Sequence, residues 1–358
     1  MIDRLSRAGT ETQLLALIRK LNRTRVAPSL ALLDGEDDLS RALEPADCPI
    51  IRLGVRRLMS FSAMKAAALL RGFWREHRPE ILQVYFLDAA YFAVPLARLS
   101  GVRKVVRVRN NLGYWLDRGH RMLGRLIRPF IDATLTNTQA GKDALVEREG
   151  HRSDRVVVLE NGVDTERFNR FLLPDTSKPR VRVGCVANLR SVKNIDGLMR
   201  AAKASLDRFP KLVFEVAGDG DEREALARLH AELGLGDRFK FRGSVADVAS
   251  FLRTVDIAVL PSHSEGMSNA LLEYMAAGRA VIATDVGANA TLVRHRKDGL
   301  IVPPRDDAAL VDAITEMLAD PLRAAGYGAS ARTRVEAEYS REAMRIRFED
   351  FYHAIARQ

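Results

Sequence analysis

The chain has 358 residues, 47% of them hydrophobic and 28% charged, which is enough for two or three ordinary globular domains. No apolar run approaches the roughly 18 residues of a membrane span, and the first residues lack the apolar core of a signal peptide. Two cysteines far apart in sequence exclude a disulfide framework and favour a cytoplasmic protein. Residues 1–164 carry 27 basic and 19 acidic side chains, against 29 and 27 in the remainder, so the first half is expected to meet an anionic partner.

Short apolar segments alternate with amphipathic helices in the first 165 residues. Strands are predicted at 30–33, 50–53, 81–86, 105–108, 133–136 and 156–159, and helices at 10–22, 59–77, 89–100, 118–130 and 139–150. This alternation is typical of a parallel sheet covered on both faces. Only Met1 and Ile2 precede the turn at Arg7, Ala8 and Gly9, so we expect the first strand to be truncated and the natural start to lie upstream.

A segment rich in turn-forming residues, 166–180, predicts a linker to a second α/β domain. Strands are predicted from Val181, at 212–217, 238–242, 255–260, 280–284 and 300–302, and helices at 194–208, 221–233, 245–254, 269–277, 307–319 and 329–356. The predicted domains are therefore 1–165 and 181–335, followed by a C-terminal helix at 336–358.

The stretch LPSHSEGMSNALLEYMAAG at 260–278 joins the end of a buried strand to a helix. Ser268 and Asn269 are natural helix-start residues, and the unpaired amides of such a start hold anions, phosphate above all. Glu265 lies in the turn and Glu273 in the second helical turn. This pattern suits a phosphorylated, hydroxyl-rich ligand, although a surface helix with two solvated glutamates has the same spacing.

Two further loops follow strands of the same predicted sheet. Arg190 and Lys193 lie after the first strand, where they could hold a diphosphate or simply be solvated. The turn Ala217-Gly218-Asp219-Gly220 only loosely matches a dinucleotide-binding turn and is equally consistent with an ordinary tight turn.

A basic segment in the first half alternates arginines with large apolar residues over 115–130. Such a helix can lie on an anionic membrane surface, or it can pack normally and expose a solvated basic face. The chain has no nucleic-acid-binding motif, so nucleic acid is disfavoured as the partner.

Five motifs occur together in order: Asn161-Gly162-Val163-Asp164 with Phe168, Lys193-Asn194, AGDG at 217–220, FRG at 241–243, and the run at 259–287. This ensemble resembles glycosyltransferase family 4. The resemblance implies retaining enzymes of the GT-B fold, in which two Rossmann-like domains face each other across a cleft and a C-terminal helix returns to the N-domain.

The resemblance also implies roles for individual residues. Glu265 would contact the donor sugar, Glu273 the ribose hydroxyls and Lys193 the diphosphate. Further donor contacts are implied for Gly9, Asn188, Gly218, Gly266, Met267 and Ser268. Asn188 stands where many members have an arginine, for which Arg190 is the candidate substitute. Asn110 matches the usual N-domain histidine, with Arg109 and Asp88 as the other candidates.

The sequence thus predicts a retaining, metal-independent hexosyltransferase that needs no cofactor. It would transfer a sugar from a nucleotide-diphosphate-sugar to a lipid-linked or polysaccharide acceptor in cell-envelope glycan synthesis. We expect a cytoplasmic location, either free or peripheral on the inner face of the plasma membrane. The competing hypotheses are a degenerate protein that binds nucleotide-sugar without catalysis and, less favoured by the glutamate pair, a nucleotide-sugar epimerase. The sugar, the base and the acceptor are not specified.

Overall fold

The computed structural model describes residues 1–6, 8–34, 37–110, 118–168 and 171–358. The predicted turn residue Arg7 and residues 115–117 of the predicted basic helix lie outside these ranges. The chain forms two compact units, which we call unit 1 (Met1–Asn161 with Arg341–Gln358) and unit 2 (Gly162–Ser340).

Unit 1 is built from short parallel strands and flanking helices. Its strands are β1 (Leu30–Leu32), β2 (Ile50–Arg52), β3 (Ile81–Tyr85), β4 (Lys104–Val108), β5 (Ala133–Thr136) and β6 (Val156–Val158). Its helices before residue 162 are α1 (Gly9–Lys20), α2 (Asp38–Leu43), α3 (Phe61–His77), α4 (Leu87–Leu99), α5 (Arg118–Ile127) and α6 (Gln139–Asp143). All six strands predicted for this half are confirmed.

The strands of unit 1 pair in two parallel groups, β1-β2 and β3-β4-β5-β6. Met1 and Ile2 lie between these groups. Ile2 forms a parallel bridge with Leu32, and the amide of Tyr85 donates to the carbonyl oxygen of Met1 at 2.9 Å. These two residues therefore occupy the place of a strand between β1 and β3.

Helix limits in unit 1 follow local chemistry. The Ser60 hydroxyl accepts from the amide of Ala63 and caps the start of α3. The helix ends at His77, and the next residue, Arg78, has a φ of 44° that turns the chain before Pro79, a residue that cannot continue a helix.

Unit 2 contains six parallel strands in the order β12-β11-β10-β7-β8-β9. They are β7 (Val181–Val186), β8 (Leu212–Ala217), β9 (Phe239–Phe241), β10 (Ile257–Leu260), β11 (Ala280–Thr284) and β12 (Leu300–Val302). The helices are α7 (Ile195–Arg208), α8 (Arg223–Glu232), α9 (Val248–Arg253), α10 (Asn269–Ala276), α11 (Asn289–Leu292), α12 (Asp307–Ala319) and α13 (Pro321–Glu338). The predicted linker segment lies within unit 2, where the buried Thr176 hydroxyl donates to the carbonyl oxygen of Met317 at 2.8 Å.

Strand β7 lies in the middle of the sheet, and the later strands are added first on one side of it and then on the other. β8 and β9 extend it on one side, and β10, β11 and β12 on the other. In an open parallel sheet, the loops at such a reversal of strand order diverge at the carboxyl ends of the two central strands and leave a crevice for ligands. The crevice of unit 2 therefore lies beyond the ends of β7 and β10.

The single helix predicted over 329–356 is wrong. The structure has α13 and a separate α14 (Arg341–Arg357), with a break at Tyr339 and Ser340. The break is held by backbone pairing, because the amide of Val163 donates to the carbonyl oxygen of Tyr339 at 2.8 Å. The C-terminal helix accordingly begins at 341 and not at 336.

Helix α14 belongs to unit 1, as the resemblance implied for the C-terminal helix. Its fully buried Glu349 accepts from the amide of Asn22 at 2.8 Å, and the Tyr352 hydroxyl donates to Gln83 Oε1 at 3.0 Å. Within the described ranges, none of the helices combines the length and the apolar character that crossing a bilayer requires.

Candidate active site

The centre of the candidate site is an ion pair between the loops that follow β7 and β10. Lys193 Nζ lies 2.6 Å from Glu265 Oε1, and the buried Ser262 hydroxyl donates to the same oxygen at 2.7 Å. Glu265 is buried and Lys193 is partly exposed. The structure thus brings together, at the crevice, two predicted site residues that are 72 positions apart in sequence.

Backbone contacts hold these two loops in register. The amide of His263 donates to the carbonyl oxygen of Val192 at 2.8 Å, and Asn194 Nδ2 donates to that of Pro261 at 3.0 Å. Asn194 has a φ of 54°, which asparagine tolerates better than most residues. Lys193 therefore projects from a fixed turn and not from a loose loop.

The predicted helix start after Glu265 is confirmed. α10 begins at Asn269, and the Ser268 hydroxyl accepts from the amide of Leu271 at 3.3 Å. Gly266 and Met267 lie in the turn that leads into this helix. Glu273 is half-buried in its second turn.

Tyr274 fastens α10 to the end of β7. Its hydroxyl accepts from the amide of Val186 at 2.6 Å, and the whole side chain is buried. Burial, with Cys185 close by, raises the pKa of Tyr274 well above its usual value, so it stays protonated. No sequence motif singled out this residue, because a tyrosine within an apolar helix face is read as ordinary core.

The turn at 217–220 packs directly against the loop that carries Asn188 and Arg190. A Cβ on Gly218, whose φ is 143°, would lie 1.8 Å from the carbonyl oxygen of Ala187. Asn188 and Arg190 are both exposed, and the amide of Arg190 donates to the carbonyl oxygen of Asn188 at 2.8 Å. Their side chains are available at the mouth of the crevice.

A third loop, after β11, completes the support for Glu265. A Cβ on Gly287 would lie 2.3 Å from the carbonyl oxygen of Glu265, and the amide of Ala288 donates to that of Gly266 at 2.9 Å. Gly287 was part of the motif run but was given no role. Its lack of a side chain permits this close approach.

In unit 1, Gly9 is the first residue of α1, and Asn110 follows β4. Asn110 lines a pocket that is also lined by Tyr85, Thr136 and Asn161. Arg109, an alternative candidate, is buried and paired with Glu149, with Nη2 to Oε1 at 2.9 Å.

Asp88, the other alternative, lies in the first turn of α4, close to an aspartate that sequence reasoning missed. Asp3 accepts from the amide of Ala89 at 2.9 Å. Burial, with Asp88 and Glu11 nearby, raises the pKa of Asp3 to about 6. Phe86, between Tyr85 and α4, has a φ of 63°, a strained value for a bulky residue.

Within the parts of the chain that the structure describes, no group of three or more histidine, cysteine, aspartate or glutamate side chains is arranged to hold a metal ion.

Two family models match the chain. The model described as "Glycosyltransferase Family 4" matches residues 7–167, and the one described as "Glycosyl transferases group 1" matches residues 180–320.

Curated relatives match over much of the length. A GDP-mannose-dependent alpha-(1-6)-phosphatidylinositol monomannoside mannosyltransferase of Mycobacterium tuberculosis is 28% identical over 314 residues, 79% of this chain and 78% of that protein. The lipopolysaccharide core biosynthesis mannosyltransferase LpcC of Rhizobium leguminosarum bv. viciae is 34% identical over 196 residues, 52% of this chain and 56% of that protein.

A solved structure, that of Anabaena HepE in complex with UDP, superposes with a TM-score of 0.85 at 19% identity, covering 99% of this chain and 98% of that one. This likeness confirms the predicted GT-B fold class, with a parallel sheet in each of the two Rossmann-like units.

Proposed function

Because the chain belongs to glycosyltransferase family 4, we propose that it is a retaining enzyme that moves a sugar from a nucleotide-diphosphate-sugar to a lipid-linked or polysaccharide acceptor. The observation that carries this proposal is the Lys193–Glu265 pair at the crevice of unit 2. Glycan synthesis is the role of the named relatives, and cell-envelope glycan is the proposed product class. The proposed location is cytoplasmic, with contact to an anionic membrane surface through the basic segment 115–130, of which α5 is the described helix.

The proposed chemistry follows from the charges and amides of unit 2. Breaking the bond between the sugar and the diphosphate leaves negative charge on the departing phosphate. Lys193, with Arg190 at the mouth of the crevice, would stabilise that charge, as would the amides of Gly266 and Met267 before α10. Since these groups supply positive potential, we propose transfer without a metal ion or cofactor.

Two carboxylates would position the donor. Glu265 would accept hydrogen bonds from sugar hydroxyls, and Glu273 from the ribose. Buried, oriented acceptors of this kind discriminate strongly against ligands that lack the matching hydroxyl. In unit 1, Gly9 and Asn110 stay predictions for substrate contacts.

The base and the sugar are to be settled by experiment. The mycobacterial relative is named for GDP-mannose and the HepE structure contains UDP. GDP-mannose is therefore the first donor to test, with UDP-glucose as the second. A thermal-shift comparison of GDP, UDP and ADP identifies the base, because a ligand raises the melting temperature by mass action.

The test of the site is nucleotide diphosphate release by Lys193→Ala with the preferred donor. We expect a loss of about 100-fold in kcat/KM, typical of removing one group that stabilises transition-state charge. The matched control is Lys203→Ala, an exposed lysine on α7 that pairs with the neighbouring Asp207. Equal turnover by wild type and Lys193→Ala would remove Lys193 from the proposed machinery.

The alternative is a protein that binds nucleotide-sugar without transferring it. Asn110 in place of the family histidine is the observation that favours it. Donor binding at micromolar concentration without product, over a panel of lipid-linked and oligosaccharide acceptors, supports this alternative.

A further inference from the structure

A basic pocket lies in unit 1, on the face of the sheet next to α5. It consists of two adjoining hollows that share Arg125, Arg128 and His151. We call it the arginine pocket; the arginines that line it are Arg107, Arg125, Arg128, Arg148, Arg152 and Arg155. Among the described residues that line it, Glu149 is the single carboxylate. The pocket therefore has a large excess of positive charge.

The deepest of these arginines, Arg107, comes from the interior of the sheet. It lies on β4, level with Val84 of β3 and Thr134 of β5, and is only 4% exposed. Within the described part of the chain, its guanidinium forms no direct hydrogen bond or ion pair, and the nearby Glu149 carboxylate acts on it only through space. Burial and the neighbouring Arg109 lower the pKa of Arg107.

Glu149 does not supply the missing partner, because it is already engaged. Arg109 holds both of its oxygens, with Nη2 to Oε1 at 2.9 Å and Nη1 to Oε2 at 3.2 Å. A buried charge without a direct partner is costly for a folded protein, and groups of this kind are concentrated at functional sites.

The rim of the pocket is fixed in place. Arg128 donates from Nη1 to the carbonyl oxygen of Gly150 at 2.9 Å and from Nη2 to that of Glu149 at 2.5 Å. Its buried Nε has no hydrogen-bond partner among the described residues. Gly124 also lines the pocket, and a Cβ placed on it would meet nothing within 4 Å, so the pocket is open on the side of α5.

We propose that the arginine pocket binds a phosphomonoester or diphosphate group. Planar guanidiniums pair with phosphate oxygens through two parallel hydrogen bonds, and several converging on one hollow suit a group with two or more negative charges. Soluble phosphorylated compounds and lipid headgroups share this chemistry. The site is separate from the proposed donor site in unit 2, and its test needs no transfer activity.

The test compares Arg107→Met and Arg125→Gln with wild type in pyrophosphate and phosphate titrations at constant ionic strength. Wild type should gain about 5 °C in melting temperature at a hundredfold excess over Kd. Arg107→Met should lose this gain while melting higher than wild type without ligand, because a buried unpaired charge is removed. Arg125→Gln, at an exposed position, should bind about 10-fold more weakly.

Two controls separate this site from other anion binding. Arg103→Gln changes the charge of unit 1 at an exposed position outside the pocket and should behave as wild type. The gain should persist in Lys193→Ala. If it is lost in Lys193→Ala but kept in Arg107→Met, pyrophosphate binds in unit 2 and the arginine pocket is not an anion site. A gain reproduced by sodium chloride at equal ionic strength also overturns the proposal.

The source of the phosphate is distinguished with vesicles. Phosphatidylcholine vesicles containing phosphatidic acid present a phosphomonoester, whereas phosphatidylglycerol presents a phosphodiester. Co-sedimentation that prefers phosphatidic acid and is lost in Arg107→Met assigns the pocket to a lipid headgroup. Pyrophosphate binding without vesicle binding assigns it to a soluble ligand. If the protein binds neither pyrophosphate nor vesicles, the proposed site is refuted.

Discussion

The candidate site of unit 2 and the arginine pocket of unit 1 both collect positive charge beside a parallel sheet, but they balance it differently. In unit 2, Lys193 is matched by Glu265 at 2.6 Å, and Ser262 donates to the same oxygen. In unit 1, Arg107 has no such partner among the described residues, because Glu149 is held by Arg109. The lysine of the first site therefore has an anionic partner without a ligand, whereas the deepest arginine of the second site does not.

The two sites also differ in construction. The crevice of unit 2 depends on close backbone approach, with Gly218 against Ala187 and Gly287 against Glu265. The arginine pocket depends on side chains: of its two lining glycines, Gly124 faces open space, and a Cβ on Gly150 would only touch Arg128 Nη1 at 3.6 Å. Alanine at Gly218 or Gly287 should therefore damage the crevice of unit 2 more than alanine at Gly124 damages the arginine pocket.

The difference in charge balance determines what a phosphate must displace. In unit 2 an arriving diphosphate competes with Glu265 for Lys193, so part of the binding energy is used to rearrange an existing pair. In the arginine pocket an anion finds Arg107 desolvated and unpaired. The interaction of Lys193 with phosphate in unit 2 can thus become strongest in the transition state, when negative charge develops on the departing phosphate.

The largest effect is expected for Glu265→Gln. Turnover should fall by about 100-fold or more, because an oriented carboxylate at the donor sugar is lost. Affinity for the nucleotide diphosphate product should stay equal or rise up to about 3-fold, because Lys193 no longer has a competing anion. Steady-state kinetics and calorimetric titration with the product measure the two quantities on one preparation.

A parallel loss of turnover and product affinity in Glu265→Gln would contradict the competition between carboxylate and phosphate. Ser262→Ala serves as the control, because it removes a neutral donor to Glu265 and leaves the ion pair. It should lower turnover by less than Glu265→Gln.

A smaller effect, on stability, is expected for Gly218→Ala. The new methyl group would lie 1.8 Å from the carbonyl oxygen of Ala187, at a φ of 143° that alanine avoids. We expect about 3 kcal/mol loss in unfolding free energy, measured by urea denaturation.

Gly234→Ala is the matched control for Gly218→Ala. It has a φ of 62° but no atom within 4 Å of the new Cβ, so only about 1 kcal/mol of backbone strain is expected. Equal costs for the two variants would show that close approach to Ala187 does not shape the loop.

Local chemistry made much of unit 2 predictable from sequence. Each strand is a short apolar run, and the α10 start at Ser268 follows from a side chain that caps its own helix. The break between α13 and α14 could not be predicted, because it depends on Val163 pairing with Tyr339, a contact across 176 positions. Apolar spacing continues through the break and favours one long helix.

Prediction of the two sites from sequence is limited in the same way, because contacts between distant residues decide them. Lys193 and Glu265 are singled out by their positions after predicted strands and by the resemblance to a family, but their direct contact follows from strand order, which places β7 beside β10. Arg107 lies in the predicted strand at 105–108, and a strand pattern of apolar residues with one arginine does not show that the arginine is buried. Its lack of a partner is visible only in three dimensions.

An effect confined to the pH dependence of stability is expected at His151, which lines the arginine pocket and has Nδ1 3.5 Å from Thr134 Oγ1. Burial, then the charges of Arg128, Arg107 and Arg109, lower the pKa of His151 to about 4. Between about pH 6.5 and 4 the unfolded chain therefore binds a proton that the folded chain does not, so stability falls as the pH is lowered through this window. His151→Asn should remove up to one proton from the pH slope of the unfolding free energy. The buried Asp3, whose raised pKa gives the opposite slope, is unchanged in both proteins and cancels in the difference.

Pyrophosphate should raise the pKa of His151 by offsetting the positive charge of the arginines, and so flatten the pH slope of the wild-type unfolding free energy. If the slope stays the same with ligand, the anion does not sit beside His151, and the contrast between a balanced site and an unbalanced one fails at the arginine pocket.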